Sequence, residues 1–393
     1  MKGYERKGFR KMKQRHTILA YLFLSVLIIS SFDYSVATSR KDLLEDFCIS
    51  NQTETGGFKD SNNGTSDTIS EFTSYANLFI LNEIDPTLEK IDKSKAGFWG
   101  IDRLNDFTST TGAEKGIPDA YYALEILVFL NATANETATL NDAITKMNGF
   151  YNETSHGYNG KNSPISTLSD TFYAIEFLQR AKSLSYDENS TEIASFVLSC
   201  WDNEDNAFAG SPGGDANPID SYFAIQTLIR LDKLNLFNQK DELSDFIDNF
   251  YCSDPVFESH NGGYSHTPNS PSSSSLMMTY YCVSLQNTLN SSKLHNETTR
   301  NWLLSRQSPY DFGFNDYSSV SGVEYSSAKL SYYAIRSILI FEEDALGDRN
   351  SDLMNEELWN LSTSGWLIAA IVLGSLGLAA LAGYGIYRYK NRI

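Results

Sequence analysis

One aromatic, small, apolar signature recurs six times in this chain, and its spacing limits the fold more than any other feature. It reads Ser74-Tyr75-Ala76, Tyr121-Tyr122-Ala123-Leu124, Phe172-Tyr173-Ala174-Ile175, Tyr222-Phe223-Ala224-Ile225, Tyr280-Tyr281-Cys282-Val283 and Tyr332-Tyr333-Ala334-Ile335. With the second aromatic as marker, positions 75, 122, 173, 223, 281 and 333 are 47, 51, 50, 58 and 52 residues apart. A fixed period of this size marks a chain built from stacked supersecondary units. Each signature opens an apolar stretch with helical periodicity, such as Ala123, Leu124, Leu127, Val128 and Leu130, which predicts a buried helix. Upstream, a glycine or small residue is followed by an aromatic: Gly57-Phe58, Gly157-Tyr158, Ala207-Phe208, Gly263-Tyr264 and Gly313-Phe314, with Gly97-Phe98 as the counterpart in the second unit. Before these turns come amphipathic segments in which residues such as Leu243, Phe246, Ile247 and Phe250 recur at three and four. Each unit is therefore an outer amphipathic helix, a turn with a polar loop, and an inner apolar helix.

Six such hairpins either stack as an open array or close on themselves. Open arrays need polar caps on their end units. Here the sixth inner helix, through Ile340 and Phe341, is as apolar as the middle ones. The expected fold class is all-α, an (α/α)6 toroid of six helical hairpins over residues 38–345, with an N-terminal signal segment and a C-terminal transmembrane helix.

The ends carry membrane signals. Seven Lys/Arg precede the apolar run Thr17 to Phe32, and Ser35 and Ala37 supply small residues for cleavage, so 1–37 reads as a signal peptide or an uncleaved signal anchor. Residues 346–364 form a juxtamembrane linker. Residues 365–387 are uncharged and long enough to span a bilayer, and Arg388, Lys390 and Arg392 in the tail 388–393 place the C-terminus in the cytoplasm. The net charge of −18 understates the acidity of the body, because these cations sit at the ends. An acidic body repels phosphate backbones, which excludes nucleic acid as a partner and leaves the membrane, plus a protein, glycan or lipid ligand. Nine N-x-S/T sequons agree with a location outside the cytoplasm, as do Cys48, Cys200, Cys252 and Cys282, which allow three complete pairings or free thiols.

The segments from glycine-aromatic pair to aromatic pair, such as Gly56-Gly57-Phe58 through Tyr75 and Gly262-Gly263-Tyr264 through Tyr281, resemble the prenyltransferase and squalene-cyclase repeat family, the terpenoid cyclase-like toroids. The resemblance covers residues 40 to 342 and implies the ring. It does not carry the family's chemistry. Where protein prenyltransferases place an Asp-x-Cys for zinc, this chain has Thr167 and Ser169, Asn217 and Ile219, and Ser275 and Met277; the His positions hold Met278 and Leu330. Asp46-Phe47-Cys48 has no matched histidine. The Asp-x-Asp-Asp of hopene cyclases and the thioester Gly-Cys-Gly-Glu-Gln of complement-like toroids are absent. No catalytic residue, metal ligand or cofactor is assigned.

The inner helices do repeat a carboxylate. Asp119, Asp170 and Asp220 lie three residues before Tyr122, Tyr173 and Phe223, on the same helix face. By the resemblance the marker aromatics Tyr75, Tyr122, Tyr173, Phe223, Tyr281 and Tyr333 look into the ring. The aspartates would then form an acidic arc at a cavity mouth, with Phe72, Met278 and Leu330 completing it as an apolar half. The competing reading makes these aspartates helix caps, which Pro118 and Pro218 nearby favour. His260 and His266 flank one turn, and the loops 60–67 and 202–206 are oxygen-rich, without matching an EF-hand. The expected function is a membrane-anchored binding or interaction module. The alternative is an enzyme, either a zinc-free relative of the prenyltransferases and terpenoid cyclases or a carboxylate-dependent glycan hydrolase or lyase.

Overall fold

The computed structural model describes residues 39–61, 69–109, 115–133, 137–161, 163–181, 189–253, 259–270, 273–308, 311–316, 326–343, 345, 346 and 354. Segments 1–37, 365–387 and 388–393 lie outside the described residues. Among the described residues no helix is long and apolar enough to cross a membrane.

Among the described residues, twelve α-helices alternate between an outer and an inner layer. The outer ones are α1 (Arg40–Ser50), α3 (Lys93–Thr108), α5 (Thr137–Asn148), α7 (Ser190–Ser199), α9 (Lys240–Asp248) and α11 (Asn296–Ser305). The inner ones are α2 (Glu71–Ile84), α4 (Ile117–Phe129), α6 (Leu168–Arg180), α8 (Pro218–Arg230), α10 (Leu276–Leu289) and α12 (Ala328–Phe341). The division follows burial. In α10, Leu276 and the unbroken run Met278–Gln286 are buried, whereas α9 buries only Leu243, Ser244 and Ile247. Each inner helix packs on the next, and α12 packs on α2, so the inner layer closes into a ring. The only regular sheet among the described residues is two small antiparallel ribbons, Trp201–Asp202 with Ala207–Phe208 and Tyr264–Ser265 with Ser274–Ser275.

The glycine-aromatic turn is a latch. Its aromatic pairs back onto the residue that follows the outer helix, as in Gln52 with Phe58 and Tyr151 with Tyr158. Its backbone N–H donates to a buried hydroxyl on the inner helix: Phe58 to Ser74, Tyr158 to Thr171, Phe208 to Ser221, Tyr264 to Thr279 and Phe314 to Ser331, all at 2.9–3.0 Å. That hydroxyl is always the fourth residue of its helix, so the latch fixes register. A backbone N–H buried here without a partner would cost on the order of 1–3 kcal/mol. The second unit differs from expectation. Gly97 and Phe98 lie inside α3, with Phe98 73% exposed, and the fourth residue of α4 is Ala120, which has no hydroxyl to offer.

The same turns join neighbouring units. A Cβ on Gly157 would fall 2.6 Å from Phe196 of α7, and one on Gly263 would fall 2.7 Å from Trp302 of α11. The sixth unit repeats this contact across the closure, where a Cβ on Gly313 would meet Phe47 of α1 at 2.8 Å. Asp60 completes the joint: its carbonyl accepts from Ala328 N at 2.7 Å, and its Oδ1 accepts from Ser327 Oγ at 2.8 Å and Lys329 N at 3.1 Å. The ring also extends past the expected boundary at 345. Leu346 and Met354 are buried, and Met354 O accepts from Lys41 N at 3.0 Å.

Cys48, Cys200, Cys252 and Cys282 are free and buried. The sequon residue Asn51 is fully buried with its Nδ2 donating to Asn77 at 3.1 Å, so a glycan has no room there, whereas Asn131 and Asn296 are exposed.

Candidate functional site

Helix caps set the alignment of the six inner helices. Ser70, Thr167, Asn217, Ser275 and Ser327 each accept from the backbone N–H three residues on, with Gly116 at the corresponding place before α4. The N3 position then holds Thr73, Asp119, Asp170, Asp220, Met278 and Leu330. Thr73, not Phe72, is thus the first-unit counterpart of the aspartates, and the other half of the arc is not wholly apolar. The same alignment moves Tyr75. It matches the first aromatic of the other pairs, Tyr121 to Tyr332, while Ala76 takes the marker position and Phe72 fills the space instead.

The three aspartates are spent on the helix starts. Asp119 Oδ2 accepts from Gly116 N at 2.9 Å, closing a capping box. Asp170 Oδ2 accepts from Thr167 Oγ1 at 2.7 Å, and Asp220 Oδ2 accepts from Asn217 Nδ2 at 2.6 Å. The Asp170 carboxylate sits against Gly160 and that of Asp220 against Gly210, in the turns of their own units. Burial raises both carboxyls above their usual range, more than these hydrogen bonds lower them.

A stability prediction follows from that balance. The unfolded carboxyl titrates near about 3.9 and the folded one higher, so the folded state holds the extra proton in between. The stability each aspartate contributes is greatest below the unfolded value and declines as pH rises through the folded one. Asp170→Asn, which keeps an acceptor for Thr167 Oγ1, is expected to gain on the wild type in melting temperature as pH rises from about 4 to 7. A difference that shrinks over that range would refute the burial argument.

The aromatics make one continuous packing. Phe72, Tyr122, Tyr173, Phe223, Tyr281 and Tyr333 alternate with Tyr75, Tyr121, Phe172, Tyr222, Tyr280 and Tyr332, with neighbouring ring centroids 4.9–6.2 Å apart. Phe72 reaches Tyr122 at 4.9 Å and Tyr333 at 5.8 Å, linking the second and sixth units. Hydroxyls pair inside this layer, Tyr122 with Tyr173 and Tyr222 with Tyr280, each at 2.7 Å. Burial pushes the Tyr333 hydroxyl up to about 12 and those of Tyr122 and Tyr222 well above the usual 10. These phenols stay neutral and serve packing and hydrogen bonding. The ring contacts run from each unit to the next around the whole inner layer.

Farther along the inner helices is a layer that the aromatic signature does not announce. Glu125, 3% exposed, pairs with Arg180, and Glu176 pairs with Arg230, each arginine ending the next inner helix. Arg336 belongs to the same layer. Its signal lay four residues beyond the first aromatic of each pair, one helical turn away on the same face.

Among the described residues no group of three His, Cys, Asp or Glu side chains is placed to hold a metal ion. His260 Nδ1 instead bonds Ser274 Oγ at 2.9 Å.

Solved structures that share the fold include a protein prenyltransferase and a terpene cyclase. Protein geranylgeranyltransferase-I of Candida albicans, complexed with GGPP, is 12% identical, with 70% of this chain and 85% of that one covered and a TM-score of 0.53. The type II terpene cyclase MstE from Scytonema, in its apo form, is 12% identical over 78% of this chain and 97% of that one, with a TM-score of 0.51. Identities this low carry the fold alone. No curated protein matches in sequence. Residues 2–106, 117–316 and 261–364 match the family model described as the prenyltransferase alpha-alpha toroid domain. With that match over most of its length and its inner helices closed in a ring, the chain belongs to the prenyltransferase alpha-alpha toroid domain family.

Proposed function

We propose that this toroid is a binding module, tethered to a membrane by residues 365–387 with its ring outside the cytoplasm, that recognises a protein, glycan or lipid ligand. The observation that carries the reading is that the repeated groups of the inner helices are already partnered. Twelve aromatics pack on one another from unit to unit, and the three repeated carboxylates are engaged as caps. The acidic body adds a preference for neutral or cationic surfaces.

One observation favours the enzyme alternative. Burial keeps Asp170 and Asp220 more basic than ordinary aspartates, as a general acid requires, and the fold is shared with a geranylgeranyltransferase and a terpene cyclase.

The two readings part in one experiment. The full chain, purified in detergent, is mixed with labelled geranylgeranyl diphosphate, and binding and consumption are followed. The binding-module reading expects no turnover, whether or not the probe binds. Consumption that disappears in Asp170→Asn with Asp220→Asn would establish the enzyme instead. In intact cells, added protease is expected to digest the ring and spare a tag on the C-terminal tail; a protected ring would overturn the topology.

A further inference from the structure

At the ninth position of each inner helix stand Phe79, Glu125, Glu176, Gln226, Ser284 and Arg336. In α4 and α6 this residue is a carboxylate matched by an arginine from the next helix. The alternation stops at α8. There and in α10 the layer is neutral, with Gln226, Ser284, Asn287 and Thr288, and α12 supplies a cation where two other units supply an anion.

Among the described residues Arg336 has no ion pair. Its Nη2 donates to the Tyr280 hydroxyl at 3.4 Å, and its guanidinium lies 5.2 Å from the Phe79 ring centroid and 5.7 Å from that of Tyr280. With Gln226, Ser284, Asn287 and Thr288 it lines a cavity of about 290 Å³, which Tyr222, Tyr280, Leu339 and Ile340 complete with aromatic and apolar surface.

We propose that this cavity is a binding site for a small monocarboxylate with an apolar body. A half-buried guanidinium with no carboxylate paired to it among the described residues has lost hydration that an oxyanion would restore. The guanidinium fork matches a carboxylate in two hydrogen bonds, and the Phe79 and Tyr280 rings beside it add cation–π attraction that holds it in place. The side-chain amides of Gln226 and Asn287 and the hydroxyl of Ser284 supply further donors, while Leu339 and Ile340 suit the ligand's hydrocarbon part. Charge selects against more highly charged anions: Glu83 lies close enough to feel Arg336, and the body around the site is strongly acidic. The volume is at the lower end of the ~300–1,000 Å³ common for small-molecule sites. This site is at the opposite end of the inner helices from Asp119, Asp170 and Asp220, so it stands whether the ring is a binding module or an enzyme.

Isothermal titration of the full chain in detergent tests it with two probes, benzoate and inorganic phosphate. Benzoate is expected to bind saturably and more tightly than phosphate. Arg336→Gln is expected to weaken benzoate by about thirtyfold or more. Because Arg336 is half-buried, Asn287→Leu at an exposed rim position provides a second variant that should fold and still lose affinity. No saturable benzoate binding to the wild type, equal affinity in Arg336→Gln or in Asn287→Leu, or tighter binding of phosphate would each overturn the assignment.

Discussion

Gly56→Ala is expected to lower unfolding free energy by roughly 3 kcal/mol or more, and to cost most of the yield of folded protein. Gly56 has φ +98°, and a Cβ there would lie 2.2 Å from the carbonyl oxygen of Lys95 and 2.3 Å from its carbon. The obstacle is backbone in the first turn of α3, which cannot step aside as a side-chain tip can. Gly213 provides the control, because it too has positive φ, +77°, but a Cβ there meets nothing within 4 Å. Gly213→Ala should cost only about 1 kcal/mol, the strain of the left-handed conformation alone. Urea unfolding of the two variants separates close approach from backbone strain. Equal losses would show that the contact with α3 does not matter.

Tyr332→Ala should cost roughly 3–5 kcal/mol, the range for emptying a buried aromatic site. Tyr332 is 9% exposed and touches Phe72 at 5.5 Å, Tyr75 at 5.4 Å, Phe79 at 5.2 Å and Tyr280 at 6.2 Å between centroids. Three of these four partners are on α2, at the far end of the sequence. Tyr332→Phe keeps the ring and loses only hydroxyl interactions, so a loss near about 1 kcal/mol is expected. Hydrogen exchange should show the Ala variant loosening α2 and α12 before α6. Uniform loosening would mean that this aromatic is not specific to the closure.

The ring itself was legible because periodicity and apolar content survive averaging over fifty residues. What failed depended on a single residue's context. Tyr75 stands without an aromatic neighbour, so aligning it by ring type placed it one position out; the cap at Ser70 decides its register, and that bond is a matter of backbone geometry. Gly97-Phe98 has the letters of a turn inside a helix, because nothing in two residues distinguishes a turn from a helix face. Asp119, Asp170 and Asp220 stand out in the sequence as a repeated set, and Pro118 and Pro218 beside them already favour the capping role over a ligand site. The latch hydroxyls, by contrast, were visible as Ser or Thr just before the aromatic and went unread, since a small polar residue in an apolar helix looks like noise until its donor is known. Phe47, Trp99, Phe196 and Trp302 escaped for a different reason: each packs on a glycine in the preceding unit, or across the closure, and no local pattern links the two.

The joint that Asp60, Gly313 and Phe47 make between the last unit and the first also changes how the molecule can come apart. An open array can fray inward from its ends, one unit at a time, because each end unit is held by a single interface. A circle has no end unit to lose. Releasing any hairpin means breaking two interfaces at once, so denaturation should be abrupt and shared by all six units, and severing this joint should convert it into gradual unzipping.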